Sequence, residues 1–138
     1  MKDDLGVEHV RIDLTLDESR ALTGPALRAF FNIATRWGLG EAEQAAILGS
    51  SSPAALHLWK ANEANAVDEP TLIRISYVLG IYKALNTLFS SPEQADSWMR
   101  SPNRASLFKG RSAIELISDG RLSDLRAVRH YLDAQMVC

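Results

Sequence analysis

The feature that most constrains this chain is residues 72–89, LIRISYVLGIYKALNTLF, where Leu72, Ile73, Ile75, Tyr77, Val78, Leu79, Ile81, Tyr82, Leu85, Leu88 and Phe89 are apolar. Asp68-Glu69-Pro70-Thr71 just before it reads as a helix start: a capping aspartate, and a proline in the first turn, where its missing amide costs little. Wound as a helix, the apolar residues cover well over half the circumference, and a helix of that kind is buried on more than one side. It is either the central core of a domain or shares one face with a second copy in a homodimer. Gly80, in its middle, costs about 1 kcal/mol relative to Ala, which predicts close approach of another helix at that point.

What can wrap around it is limited. At 138 residues the chain fits one domain with one core. Apolar content of 46% and charged content of 23% are ordinary for a globular protein. The net charge of −2 and a pI near 5.9 argue mildly against strong DNA affinity, since free-standing nucleic-acid binders carry a basic footprint; a local basic patch is compatible with both. Cys138 is the sole cysteine, so no disulfide forms within the chain, which fits a reducing cytoplasm. The acidic start Met1-Lys2-Asp3-Asp4 and the lack of a continuous apolar stretch after it predict neither a signal peptide nor a membrane span, hence a soluble cytoplasmic protein.

The periodicities predict an all-α chain. Residues 1–22 read as a flexible arm, with Val10, Ile12, Leu14 and Leu16 alternating but without a strand partner. Thr23-Gly24-Pro25 opens a helix whose Leu27, Phe30, Phe31, Ala34 and Trp37 form one stripe, closed by Gly38 and Gly40. Helix formers from Glu41 to Leu48, a stop at Gly49 and a new start at Ser52-Pro53 make residues 40–62 a helix-turn-helix. Its second helix carries none of the Arg, Asn or Gln side chains that usually read base edges. Ser51, Ser52, His57 and Lys60 are the candidates for DNA phosphate contacts, so the unit predicts weak DNA binding. Residues 23–89 then form a helical domain and residues 90–138 a second segment.

That second segment begins with Ser91-Pro92 and Gln94, a capping box with proline in the first turn, followed by Ala95, Trp98 and Met99 on one face. Ser101-Pro102-Asn103 breaks the helix, Ser112-x-x-Glu115 starts another bearing Ile114 and Ile117, and Asp119-Gly120 ends it. A last helix over residues 122–136 buries Leu125, Val128, Leu132 and Met136 and has a basic flank of Arg121, Arg126, Arg129 and His130. Two such short helices cannot fold alone; they must lean on a larger body or a partner.

The ordered set Trp98-Met99, Pro102-Asn103-Arg104, Leu107-Phe108, Gly110, Ser112-Ala113-Ile114, Glu115-Leu116-Ile117 and Gly120 resembles the toxin-binding domain of the Xre/MbcA/ParS antitoxins. Ser112-Ala113-Ile114 stands where the family has Thr-Pro-Leu, and Gln135-Met136-Val137-Cys138 departs from the family's usual glycine-and-aromatic end. The helix-turn-helix is similar to the Xre type. The resemblance implies an antitoxin that binds a RES-domain toxin encoded alongside it and blocks that enzyme's NAD-binding cleft, within a hetero-oligomer and with autorepression at operator DNA. It implies toxin contacts from Trp98, Asn103, Arg104, Phe108, Arg111, Leu116, Arg121, Arg129, Leu132, Met136, Val137 and Cys138. A physical extension places the Cys138 carboxylate in the toxin's pyrophosphate-binding region, where donors to phosphate must exist.

Nothing in the sequence favours catalysis. His9, His57 and His130 are scattered with no metal-ligand spacing, and there is no nucleophile elbow or Gly-rich phosphate loop. No cofactor and no metal are expected. The alternative function is a helix-turn-helix transcriptional regulator without a toxin partner.

Overall fold

In the computed structural model, which describes residues 16–50, 53–61 and 67–136, the helix expected at the centre is there. We label the helices α1 (Leu16–Trp37), α2 (Glu41–Leu48), α3 (Pro53–Lys60), α4 (Glu69–Leu88), α5 (Pro92–Trp98), α6 (Ala113–Ile117) and α7 (Leu122–Gln135). Asp68 caps α4 by accepting the Thr71 amide at 3.1 Å. Leu72, Ile75, Tyr77, Val78, Ile81, Ala84 and Leu85 are buried along it, against α1, α2, α5 and α7. The apolar circumference of α4 is thus largely covered within one chain.

Helix α7 lies along α4 and runs the same way. The Tyr77 hydroxyl accepts from Arg126 Nε at 3.4 Å; one turn on, Gly80 faces Arg129, and Ala84 and Thr87 share a surface pocket with Asp133 and Met136. The close approach expected at Gly80 is real and its cause is a side chain. A Cβ there would lie 1.9 Å from Arg129 Nη1, so the glycine is a seat for a guanidinium.

Two expectations about α1 change. The helix begins at Leu16 and not at Thr23, and Pro25 sits inside it. An interior proline loses a hydrogen bond and crowds the preceding turn, at a cost of about 3 kcal/mol. Burial of Leu27, Phe30, Ile33, Ala34 and Trp37 downstream offsets it, at roughly 1.5–3 kcal/mol for each large side chain. The buried Thr23 hydroxyl also accepts the Val67 amide at 3.2 Å, fixing this turn. Gly38, at φ 67°, ends α1, whereas Gly40 is the N-cap of α2, its amide donating to Glu43 Oε1 at 3.0 Å. Residues 1–15 of the expected arm lie outside the described residues.

The turn after α2 is a Schellman arrangement, with Gly49 N donating to Ala46 O and Ser50 N to Ala45 O. Gly49 has φ 76°, and a Cβ there would also meet Arg74 Nε at 2.7 Å. Arg74 reaches across from α4 to donate to Ile47 O at 3.2 Å, a cation at the carbonyl end of α2. Burial pulls the Arg74 guanidinium below its ordinary value.

Of the two capping boxes expected, the one at Ser112 is complete: Ser112 N donates to Glu115 Oε1 at 2.8 Å and Glu115 N to Ser112 Oγ at 3.1 Å. The other is half made. Ser91 Oγ accepts the Gln94 amide, but Gln94 Oε1 lies 3.4 Å from the Ser90 hydroxyl. A single cluster of buried side chains runs from Leu27 to Leu132, and the described residues are helical with turns and no strand.

Removing the α4 cap with Asp68→Ala should cost about 1 kcal/mol, read as a lower urea midpoint at unchanged slope. Ile81→Ala should cost about 2–5 kcal/mol, because Ile81 is fully buried at the middle of α4.

Candidate functional site

The segment from α5 to α7 presents an aromatic cluster built from three elements. Trp98 ends α5 and is half-buried; its ring meets Phe108 edge-on at 5.6 Å and lies over Tyr131 of α7 at 6.3 Å and 20°. Phe108 and Tyr131 meet at 5.2 Å in a T-shape. Phe108 is positioned by the loop between α5 and α6, and Asn103 closes that loop. Its backbone donates to Arg111 O at 3.1 Å and accepts from Gly110 N at 2.8 Å, while its side chain accepts the Ala105 amide at 2.9 Å. Lys109 and Gly110 take positive φ, 53° and 84°, to turn the chain back. The loop tip exposes Arg104, Ser106 and Lys109, a cationic edge beside the aromatic pair.

This geometry sorts the residues expected to contact a toxin. Phe108, Leu116 and Leu132 are buried, at 1%, 7% and 1% exposure; in this chain they are core, and the expectation of direct contact is corrected accordingly. Side chains this deeply buried have no surface to offer a partner. Asn103 is similarly committed to its loop. Trp98, Arg104, Arg111, Arg121, Arg129 and Met136 keep exposed or half-exposed positions. Arg111 and Arg121 converge on Asp119 at 3.4 and 3.3 Å, and Arg121 also pairs with Asp124 at 3.0 Å. Arg104 has no hydrogen bond or ion pair among the described residues. Val137 and Cys138 lie outside them.

On the helix-turn-helix, two of the four candidate phosphate contacts have neighbours within the chain. His57 Nε2 is 3.1 Å from Glu41 Oε2, and Lys60 Nζ lies 5.8 Å from the centre of the Phe31 ring. The exposed face of α3 otherwise offers Ala54, Leu58 and Ala61, and Leu58 is half exposed at 50%. Ser51 and Ser52 lie outside the described residues. Residues 1–89 carry eight Lys and Arg against eleven Asp and Glu, and residues 90–138 seven against six. The net charge of residues 1–89 is thus −3, a sign that does not favour a phosphate backbone.

Sequence reasoning missed Arg100. From the end of α5 it donates to Trp37 O at 3.1 Å, to Gly38 O at 2.6 Å and to Glu43 Oε1 at 3.1 Å, clamping the α1–α2 corner onto the C-terminal segment. The Arg36–Asp96 pair, at 3.4 Å, lies beside it. Burial pushes the Glu43 carboxyl up, but hydrogen bonds from Arg100 and the Gly40 amide, with the Arg100 charge, outweigh it and hold the group below 4.5. No local pattern links positions 57 residues apart, so this contact had no signal in the sequence. Among the described residues no three His, Cys, Asp or Glu side chains gather to hold a metal, and no helix is long and apolar enough to cross a membrane.

Two family models match the chain, the antitoxin Xre-like helix-turn-helix domain over residues 18–80 and the antitoxin Xre/MbcA/ParS C-terminal toxin-binding domain over residues 84–135. The chain is also similar to an uncharacterized protein of Sinorhizobium fredii, y4oB, at 42% identity over 109 residues, covering 79% of this chain and 82% of that one.

Arg100→Ala should lower stability by about 1–3 kcal/mol, since it leaves backbone carbonyls at the α1–α2 corner without their donor. Glu43→Gln tests the charge. A carboxyl held below its unfolded value stabilises the fold above that value and ceases to as pH falls through the folded one. The stability gap between wild type and Glu43→Gln should be full at pH 7 and should shrink as pH drops below 4.5, measured by urea titration.

Proposed function

Because this chain belongs to the Xre/MbcA/ParS antitoxins, with an Xre-like helix-turn-helix and a toxin-binding domain, we propose that it neutralises a RES-domain toxin encoded beside it by covering that enzyme's NAD-binding cleft. The observation that carries the reading is the toxin-binding match over residues 84–135, which spans the Trp98–Tyr131 stack and the cationic loop at Arg104. Aromatic and Arg side chains at a half-buried position are the types that dominate protein interfaces. Inhibition of this kind requires no chemistry from the antitoxin; it excludes NAD by occupying space and meeting the donors that would bind its phosphates. Trp98 and Arg104 anchor the complex, and the stretch after α7 reaches the cleft.

We further propose that operator DNA is bound appreciably only by the toxin complex. The partners that His57 and Lys60 have within the chain and the net negative charge of residues 1–89 support weak binding by the antitoxin alone.

Co-expression with the neighbouring RES-domain protein should restore growth and cellular NAD, and the two should co-purify. A chain ending at Gln135 should still co-purify while NAD stays depleted; full protection by it would remove the role given to the tail, and absence of any complex would remove the reading. In a salt titration on the operator, the antitoxin alone should bind at least about tenfold more weakly than the complex at physiological ionic strength. Equal affinity would count against complex-dependent repression.

A further inference from the structure

Near the C-terminal ends of α4 and α7 lies a pocket of about 300 Å³, lined by Gly80, Lys83, Thr87, Arg129, Asp133 and Met136. Of its two cations, Arg129 has one carboxylate beside it, Asp133 of its own helix. The Lys83 side chain is exposed and makes no ion pair or hydrogen bond among the described residues. Arg129 is 35% exposed, and its guanidinium rests in the gap that Gly80 leaves. Its Nε is buried and lacks a hydrogen bond; the Asp133 carboxylate lies 3.3 Å away but off line. The positive charge around the pocket exceeds the negative by one. Met136, on its wall, is 41% exposed, and Leu88, one residue beyond Thr87, is 36% exposed; with Leu58 they are the exposed large hydrophobics among the described residues.

We propose that this pocket receives an Asp or Glu side chain of the toxin, flanked by apolar residues that cover Met136 and Leu88. The inference deepens the toxin-binding reading and rests on it. A guanidinium that is partly desolvated and short of acceptors gains most from a carboxylate, to which it can offer two parallel N–H groups. Lys83 supplies a second charge on a flexible stem. Exposed apolar side chains beside the pocket are what a protein contact covers, whereas a phosphate backbone has no use for Met136 and Leu88. The pocket is also continuous with the matched toxin-binding region, which begins one residue after Lys83.

The test is the affinity of the full-length chain for the co-encoded RES-domain toxin at low and physiological salt, for wild type, Lys83→Glu and the double variant Lys83→Glu/Arg129→Gln. Lys83 is exposed and unbonded, so the single variant keeps the wild-type melting temperature. The pocket predicts a loss of at least threefold for Lys83→Glu and about tenfold or more for the double variant, with a flatter salt dependence. A compensating Asp→Lys or Glu→Lys in the toxin that restores binding to Lys83→Glu would identify the docked carboxylate. If both variants bind within threefold of wild type, the pocket is not the docking point, while the toxin-binding reading stands. If wild type itself does not bind, both fall together.

Discussion

The burial of α4 on nearly every side is the constraint from which the rest follows. A helix with apolar residues around most of its circumference is unstable until something covers each face. Here α1 and α2 take one part, α5 another, and α7 runs parallel along a third. The N-terminal helices and the C-terminal segment are therefore two wrappings of one rod. The short α5 and α6 fold because α5 packs on α4 and α6 on α7, with Ala95, Met99, Ile114 and Ile117 all buried.

Much of this was legible in the sequence, because the signals were local. Helix ends were marked by chemistry that acts within four residues: Asp68 on the Thr71 amide, Ser112 and Glu115 on each other, Gly49 in the left-handed region. Where the reading failed, a distant contact decided. Thr23-Gly24-Pro25 looks like a start, yet α1 runs through it, fixed by the bond from Val67 to Thr23. Gly80 announced a close approach, but only the structure names Arg129 as what approaches. The same limit governs the site. Trp98 and Arg104 stand out by type and order, whereas the burial of Phe108, Leu116 and Leu132 shows only in the folded chain. Arg100 and Lys83 carry no pattern at all; what they do depends on where α1, α2 and α7 bring their carbonyls and charges.

Charge is distributed to suit a protein partner more than a nucleic acid. The helix-turn-helix half carries the excess of carboxylates, and its recognition helix has a histidine paired with Glu41 and an exposed leucine. Lys83 and Arg104, whose side chains have no carboxylate partner among the described residues, stand at or beside the toxin-binding match. An inhibitor gains from this, since diffusing encounters with an oppositely charged target are steered while non-specific capture by DNA is discouraged.

The two family matches meet between residues 80 and 84, in the interior of an unbroken helix. No hinge separates the part that carries the recognition helix from the part that holds the toxin. Arg100 staples them a second time at the α1–α2 corner. A partner seated on one end would therefore be carried at a set bearing from the other, like a load bolted to a beam. Cargo size and docking angle alone would then dictate which neighbouring molecules can line up along a shared track, with no shape change needed to transmit the message.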